Sequence, residues 1–382
     1  MLDLRRLTGH ELRLSEKLVE FNWGFLLLLT LIASIGFAML YSVADGSFSP
    51  WALRQATRFA LGACIMVTVA VIDLRLWMRL AYPLYGLALV LLIAVEIIGF
   101  TGMGAQRWLN LGFIQVQPSE IMKVTLILAL ARYFHGLTLD EVSRIRNLIV
   151  PLALVGAPVG LVVLQPDLGT AVLLIASGAI LFFSAGLRWR YFIFAGAGVL
   201  AAIPVIWSRL HDYQRNRVFT FLDPESDPLG TGYHILQSKI ALGSGGIFGK
   251  GFMEGTQSQL NFLPEKHTDF IFTMLGEELG LVGGLALLAL YFIVLMFSLN
   301  VAMQCRNQFG RLLAIGVSMT FFLYVFINTA MVMGLLPVVG VPLPLVSYGG
   351  TAMLSLMFAF GLLMSVYIHR NLEISRGPSA FW

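Results

Sequence analysis

Apolar stretches of about twenty residues recur along this chain from Phe21 to Ile368, separated by short polar turns. A run of that length crosses a hydrocarbon core of ~30 Å as a helix, because each helical residue rises about 1.5 Å. Ten such spans can be drawn, at 21–43, 54–72, 77–100, 117–135, 147–164, 168–186, 190–208, 269–299, 310–336 and 344–369. The rhythm breaks between the seventh and eighth, where residues 209–268 are polar and glycine-rich. The pattern predicts an all-α polytopic membrane protein of about ten transmembrane helices, with a large extracytoplasmic loop between spans seven and eight. Without a fixed-period repeat or low-complexity segment, 1–382 reads as a single domain.

Ten spans put both termini on one side, and the short loops say which. Arg5, Arg6, Arg13 and Lys17 precede the first span; Arg75 and Arg79, Arg132, Arg144 and Arg146, Arg188 and Arg190, Arg306 and Arg311, and Arg370 and Arg376 follow every second one. The turns 44–50, 165–167 and 337–343 carry no Lys or Arg. Basic residues accumulate on the cytoplasmic face during insertion, so 1–20 and 370–382 are expected inside and 209–268 in the periplasm. Arg54, Arg58 and Arg107 resist the bias. They read either as ligands for an anion on the outer side or as side chains snorkelling to lipid phosphate.

Composition narrows the class. With 58% hydrophobic and 12% charged residues and a mean hydropathy of +0.83, the chain cannot clothe a soluble surface. The net charge of +4 is mostly the topological signal, and no basic, aromatic-interleaved patch suggests nucleic acid. Cys64 and Cys305 are expected at different depths, without a bridge or metal site. The first apolar run is too long for a cleavable signal and reads as a retained anchor.

Candidate chemistry gathers at the outer ends of the spans. The polar loop closes on Leu263-Pro264-Glu265-Lys266-His267-Thr268-Asp269, which puts a carboxylate at the membrane boundary, a functional candidate by default. Its alternative is a plain N-terminal role in the next helix. If the helix runs from Asp269 onward, Glu277 and Glu278 lie roughly 12–14 Å deeper and leave Asp269 nearest the aqueous mouth. Lys266 and His267 beside it either steady an anion or form a solvated positive surface. A second polar stretch, Gln106-Arg107-Trp108-Leu109 and then Gln117-Pro118-Ser119-Glu120, leads into a span containing Lys123. Pro118 suits the first helical turn, and Glu120 and Lys123, three apart, share a face. They form either a structural ion pair or the polar wall of a binding site.

Asp167, in Gln165-Pro166-Asp167-Leu168-Gly169-Thr170, reads first as a helix cap. In Gly340–Thr351, Ser347 and Thr351 either cap the last span or line a cavity, since irregular backbone at membrane depth needs burial or a cavity. Within the large loop, Arg215 and Arg217 open the polar stretch and Asp223-Pro224 supplies turn chemistry. Residues 233–241, including Lys239, are apolar at intervals of three to four and suit the interface plane. Gly243–Gly251 is not a P-loop, because no Ser or Thr follows the Gly-Lys, and reads as a flexible elbow.

Taken together, these motifs resemble the SEDS family of cell-wall polymerases, its RodA-like rod-shape branch more than its division branch. The resemblance runs from Arg54-Gln55 to the last span and includes Ser347-Tyr348-Gly349-Gly350. Asp223-Pro224, Asp227-Pro228-Leu229-Gly230, Gly255-Thr256-Gln257-Ser258-Gln259-Leu260 and Thr351 favour the rod-shape branch. It implies a peptidoglycan glycosyltransferase of the cell inner membrane that polymerises lipid II on the outer face during elongation. It also implies a class B penicillin-binding protein and other elongation-complex membrane proteins as partners. Asp269 matches the family's essential aspartate and is expected to be the general base. Arg54, Arg107, Lys123, Arg215, Arg217 and Lys239 are candidates for diphosphate or sugar contact, with Glu120, Asp167, His267 and Ser347 also expected at the substrate. A divalent cation, Mg or Mn, could share the charge compensation, although the sequence shows no dedicated metal cage. The rival from another class is a flippase for a lipid-linked precursor, which predicts access from both faces.

Overall fold

A computed structural model describes residues 13–102, 105–110, 112, 115–209, 215, 219–220, 223, 231–256 and 265–374. Arg217, Asp227-Pro228 and the 257–264 motif residues lie outside them. The helices in chain order are α1 (Leu14–Glu20), α2 (Trp23–Val43), α3 (Ala52–Val71), α4 (Leu74–Ile98), α5 (Pro118–His135), α6 (Leu139–Val142), α7 (Ile145–Leu164), α8 (Leu168–Ser184), α9 (Trp189–Arg209), α10 (Thr231–Ser244), α11 (Ile271–Gln304), α12 (Gln308–Val332) and α13 (Gly350–Ile368). All but α1, α6 and α10 fall on the ten predicted stretches, and the protein is an all-α polytopic membrane protein.

Among the described residues, six helices are long and apolar enough to cross a bilayer by length and composition, and α8 and α9 are shorter apolar helices. The other two, α3 and α5, carry the charges: Arg54 and Arg58 in one, Glu120, Lys123 and Arg132 in the other. Polar caps begin several helices, with Asn22, Asp73, Asp167 and Asn307 accepting from Phe25 N, Arg75 N, Thr170 N and Gly310 N. Pro118 stands at the start of α5 as expected.

The core centres on α5, α12 and α13, which are buried along most of their length, whereas α9 exposes most of its side chains. α13 lies close against α3 at two glycines: a methyl on Gly361 would meet Met66 O at 2.9 Å, and one on Gly62 would meet Met357 Cγ at 2.8 Å. Small residues at such crossings let backbones approach, which is how helices gain packing energy where lipid removes the hydrophobic drive.

Four features differ from the sequence expectation. The α4–α5 connection holds three short antiparallel strands, β1 (Phe100–Gly102), β2 (Ala105–Asn110) and β3 (Gln115–Val116), in spatial order β1-β2-β3. The segment between α12 and α13 re-enters the bundle, and a methyl on Gly36 would stand 2.6 Å from Val346 Cα. Gly36 lies seven residues, or ~10 Å, inside the end of α2. The eighth span is not one helix: Gly280, at φ 66° and ψ −163°, breaks α11 after nine residues. Finally, 243–251 is no loose elbow. Lys250 N and Gly251 N donate to Glu277 O and Glu278 O, while Leu281 N and Val282 N donate to Gly246 O and Ile247 O. This backbone clasp satisfies the groups freed by the Gly280 break.

Candidate functional site

Asp269 sits in a tight turn, 265–270, that feeds α11. Thr268 N and Phe270 N donate to Glu265 O, and Thr268 Oγ1 donates to Glu265 Oε2 at 2.9 Å. Two neighbours pin the turn from outside. Asn328 of α12 donates Nδ2 to Asp269 O at 2.9 Å and to Val341 O at 2.8 Å. Ser347 donates Oγ to Thr268 O at 2.6 Å while accepting from Leu343 N at 2.8 Å, and Tyr348 N donates to His267 O. The turn is therefore stitched to the re-entrant segment along both.

Helix α11 begins only at Ile271 and has no acidic residue in its first turn, so Asp269 precedes the helix. Glu277 and Glu278 follow six and seven residues into α11, and Glu278 Oε1 accepts from Ser42 at the end of α2, 2.5 Å away. Ser347 is a latch and not a helix cap; α13 starts at Gly350 with no side-chain cap. Thr351 Oγ1 donates instead to Gln115 O of β3, at 3.3 Å.

Beside the turn, His267 stacks on Trp51, with ring centres 4.6 Å apart and planes at 17°, and lies 6.0 Å from the Tyr348 ring. Burial pulls the His267 pKa below the usual imidazole value; Glu265 opposes the shift and Lys266 adds to it. Lys266 is not the solvated cation of the sequence reading, being only 6% exposed. Burial lowers its pKa too, partly offset by Asp45.

On the other side of the re-entrant segment lies a cavity between α5, α12 and α13, whose polar lining includes Gln55, Glu120, Lys123, Thr320, Tyr324 and Ser347. Lys123 Nζ donates to Glu120 Oε1 at 2.6 Å, Tyr324 OH donates to Glu120 Oε2 at 2.7 Å, and Lys123 Nζ stands 4.5 Å from the Tyr324 ring centre. Gln55 Nε2 donates to Ser347 O at 2.8 Å and joins α3 to the cavity rim. Asp269, His267, Ser347, Glu120 and Lys123 thus surround one re-entrant strip.

The remaining predicted residues have other partners. Asp167 caps α8 through Thr170 N and accepts from Thr170 Oγ1 at 2.8 Å. Its Oδ2 lies 3.5 Å from Arg107 Nε, and Arg107 Nη2 donates to Pro166 O at 3.1 Å. Arg215 donates to Trp207 O and Ser208 O, closing the end of α9. Lys239 lies on α10 against Gly334, and Arg54 is exposed. Among the described residues, no group of three or more His, Cys, Asp or Glu is placed to hold a metal ion. Sequence reasoning missed Tyr324 and Asn328, although polar residues four apart in an apolar span share one face and are a readable signal.

Comparison with known proteins places the chain in a family. The profile of the family described as "Cell cycle protein", covering FtsW, RodA and SpoVE, matches residues 17–372, and the chain belongs to that family. It is 49% identical over 348 residues to the peptidoglycan glycosyltransferase MrdB of Escherichia coli K12, covering 91% of this chain and 94% of that one. It is 37% identical to the probable peptidoglycan glycosyltransferase FtsW of Trichlorobacter lovleyi, covering 97% and 99%. A chain from a peptidoglycan synthase complex that coordinates polymerization and crosslinking superposes with a TM-score of 0.81 at 33% identity, over 92% of this chain and 98% of that chain. The rod shape determining protein RodA of Thermus thermophilus gives 0.70 at 30%, again over 92% and 98%.

Proposed function

We propose that this chain is a peptidoglycan glycosyltransferase that polymerises lipid II into glycan strands at the outer face of the cytoplasmic membrane, during elongation and rod-shape maintenance. The observation that carries the reading is the Asp269 turn, pinned by Asn328 and Ser347 against the strip whose far side lines the Glu120–Lys123 cavity. The relatives' activity and the rod-shape neighbour support the same reading. The chain is read as one membrane domain over 1–382, with both termini cytoplasmic and 209–268 periplasmic.

The reaction is an inverting displacement at the α-linked anomeric carbon. The acceptor's 4-hydroxyl oxygen forms the new β-1,4 bond, the bond from the anomeric carbon to the diphosphate oxygen breaks, and the hydroxyl proton passes to Asp269 as general base. The departing diphosphate needs positive charge aimed at it, and in the cavity Lys123, oriented by Glu120 and Tyr324, supplies that. Arg107 is engaged with Asp167 and Pro166 and Arg215 with the end of α9, so both are weaker candidates than at the sequence level. No acid is needed for the leaving group once its charge is met. The described residues form no group of three or more metal-ligating side chains. The undecaprenyl-linked strand is the second substrate, and a class B penicillin-binding protein and elongation-complex membrane proteins are the expected partners.

Purified protein in liposomes with labelled lipid II tests the reading. Wild type should form polymer, and Asp269→Asn should reduce the rate by at least ~10²-fold without lowering the melting temperature. Lipid crossing between leaflets without polymer, and indifferent to Asp269→Asn, would sink the enzyme and favour the flippase.

A further inference from the structure

Residues 333–349, the strip between α12 and α13, form neither helix nor strand, so their buried backbone groups need partners from elsewhere. Side chains of three different spans supply them. Asn328 of α12 donates to Val341 O, Tyr291 of α11 donates its OH to Pro344 O at 2.6 Å, and Gln55 of α3 donates Nε2 to Ser347 O at 2.8 Å. Leu345 lies among these tethers at φ 65°, a left-handed conformation that a leucine keeps only where its surroundings impose it.

Gln55 differs from the other two tethers. Its Oε1 also accepts a longer bond from Gly349 N at 3.4 Å, so one fully buried amide closes on a carbonyl and an N–H two residues apart. A primary amide carries a donor and an acceptor side by side, and this pairing fixes which way round it lies, because a flipped amide would set like groups against like. The residues so bracketed, Ser347 and Tyr348, are the two that hold the Asp269 turn, through Ser347 Oγ on Thr268 O and Tyr348 N on His267 O. Two hydrogen bonds thus lead from α3 to the residue before Asp269.

We propose that Gln55 is a positioning residue for the glycosyl transfer, which sets the Asp269 carboxylate through the strip and not by contact with substrate. The inference rests on the polymerase reading, with Asp269 as its base, and adds how α3 fixes the place of that base. Gln55 borders the cavity, but both ends of its amide are engaged by strip backbone. Without that amide the strained strip loses its hold on α3, and the turn bonded to it is free to shift. A misplacement of about 1 Å at the reacting groups costs on the order of 10²-fold in rate.

Gln55→Glu changes one heavy atom and removes the donor while the acid is ionised; the protonated acid donates again. At pH 8 its kcat for polymerising lipid II should fall by about 10²-fold, with the KM within about threefold of wild type. Burial raises a carboxyl pKa, so the ratio of variant to wild-type kcat should climb as pH falls from 8 to 5.5. Dividing the rates removes the titration of Asp269, Glu120, Lys123 and His267, which both proteins share. Gln55→Met, with no donor at any pH, should lose as much kcat and show a flat ratio. Hydrogen exchange, read without turnover, should quicken in 343–349 and in 265–270 of both variants and leave α5 unchanged, which separates a local release from a general loss of fold. A wild-type kcat at pH 8, a deficit carried by KM, a flat ratio in Gln55→Glu, or unchanged exchange at 265–270 would each overturn the proposal. A wild-type protein that makes no polymer, while exchange in both segments responds to Gln55→Glu, would refute the polymerase reading and leave the coupling standing.

Discussion

Two glutamate–lysine pairs flank the Asp269 turn with nearly the same geometry: Glu120–Lys123 at 2.6 Å and Glu277–Lys250 at 2.7 Å. Both carboxylates are buried. What differs is the surroundings. Glu277 also accepts from Thr256 at 3.0 Å, its neighbour Glu278 accepts from Ser42 and Met253 N, and the backbone of the same loop closes over the Gly280 break. Every partner there is a loop or helix end that the clasp ties down. Glu120 and Lys123 instead line a cavity, with Tyr324 as their further polar contact among the described residues. Burial of a charge identifies neither role; the volume beside it does.

The sharpest way to break this contrast is to remove one member of each pair. Glu277→Ala leaves the Lys250 donor without its carboxylate and opens the clasp, and loss of one partner of a buried pair costs about 3–5 kcal/mol. Lys250 is 28% exposed, which places the effect toward the lower end. Thermal unfolding in detergent should show a large drop, while the turnover of protein still folded stays within a few-fold of wild type. Lys123→Met should be felt chiefly in turnover. Tyr324 still donates to Glu120, whose carboxylate borders the cavity, so the melting temperature falls no further than in Glu277→Ala, while polymerisation falls by ~10²–10³-fold as one charge aimed at the leaving group disappears. The double change Glu120→Met with Lys123→Met should fold and remain inactive. An active double variant would return the pair to a structural role.

How much of this was visible in the sequence follows from which forces act locally. The ten spans were legible because lipid demands about twenty apolar residues, so the helix ends at Val43, His135 and Leu164 fall where hydropathy ends. The α5 start at Pro118, the Asp167 cap and the Glu120–Lys123 pair were legible because each depends on residues three or four apart. The Gly280 break was not: a glycine inside an apolar run does not reveal that the 246–251 loop, some thirty residues earlier, will donate and accept its freed hydrogen bonds. Nor could it show that Arg107 belongs to Asp167, because that contact joins a small sheet to a turn 60 residues away. The candidate aspartate was found from its place at the hydropathy boundary; its supports, Asn328 and Ser347, depend on tertiary closure.

Those supports give the next prediction. Asn328 is fully buried, and its Nδ2 serves two carbonyls, Asp269 O and Val341 O. Asn328→Leu removes both bonds and should destabilise by about 1–3 kcal/mol for the carbonyls left unmet. The effect specific to position is on kcat: the Asp269 turn loses its tether to the cavity wall, so kcat should fall more than the KM for lipid II rises. Asn328→Asp, which when ionised donates to neither carbonyl, should behave like the leucine. A kcat equal to wild type in either folded variant would show that Ser347 and Tyr348 hold the turn unaided.

The smallest effect concerns His267, and it tests whether the stacked column on the α3 side is built around a neutral ring. Its pKa in the fold lies below the ordinary 6.5, so the unfolded chain binds more protons than the folded one between those two values. The contribution of His267 to stability is then complete above pH 6.5 and is lost as pH falls through the folded-state value. Lys266 shifts in the same direction but in an alkaline window, below its ordinary 10.5, so the two separate on the pH axis. Melting temperatures of wild type and His267→Gln, compared from pH 8 to pH 5, should run parallel at the upper end and converge at the lower. A wild-type curve that gains on the variant as pH falls would mean that the ring is protonated between Trp51 and Tyr348, and that the column stacks a cation and not a neutral imidazole.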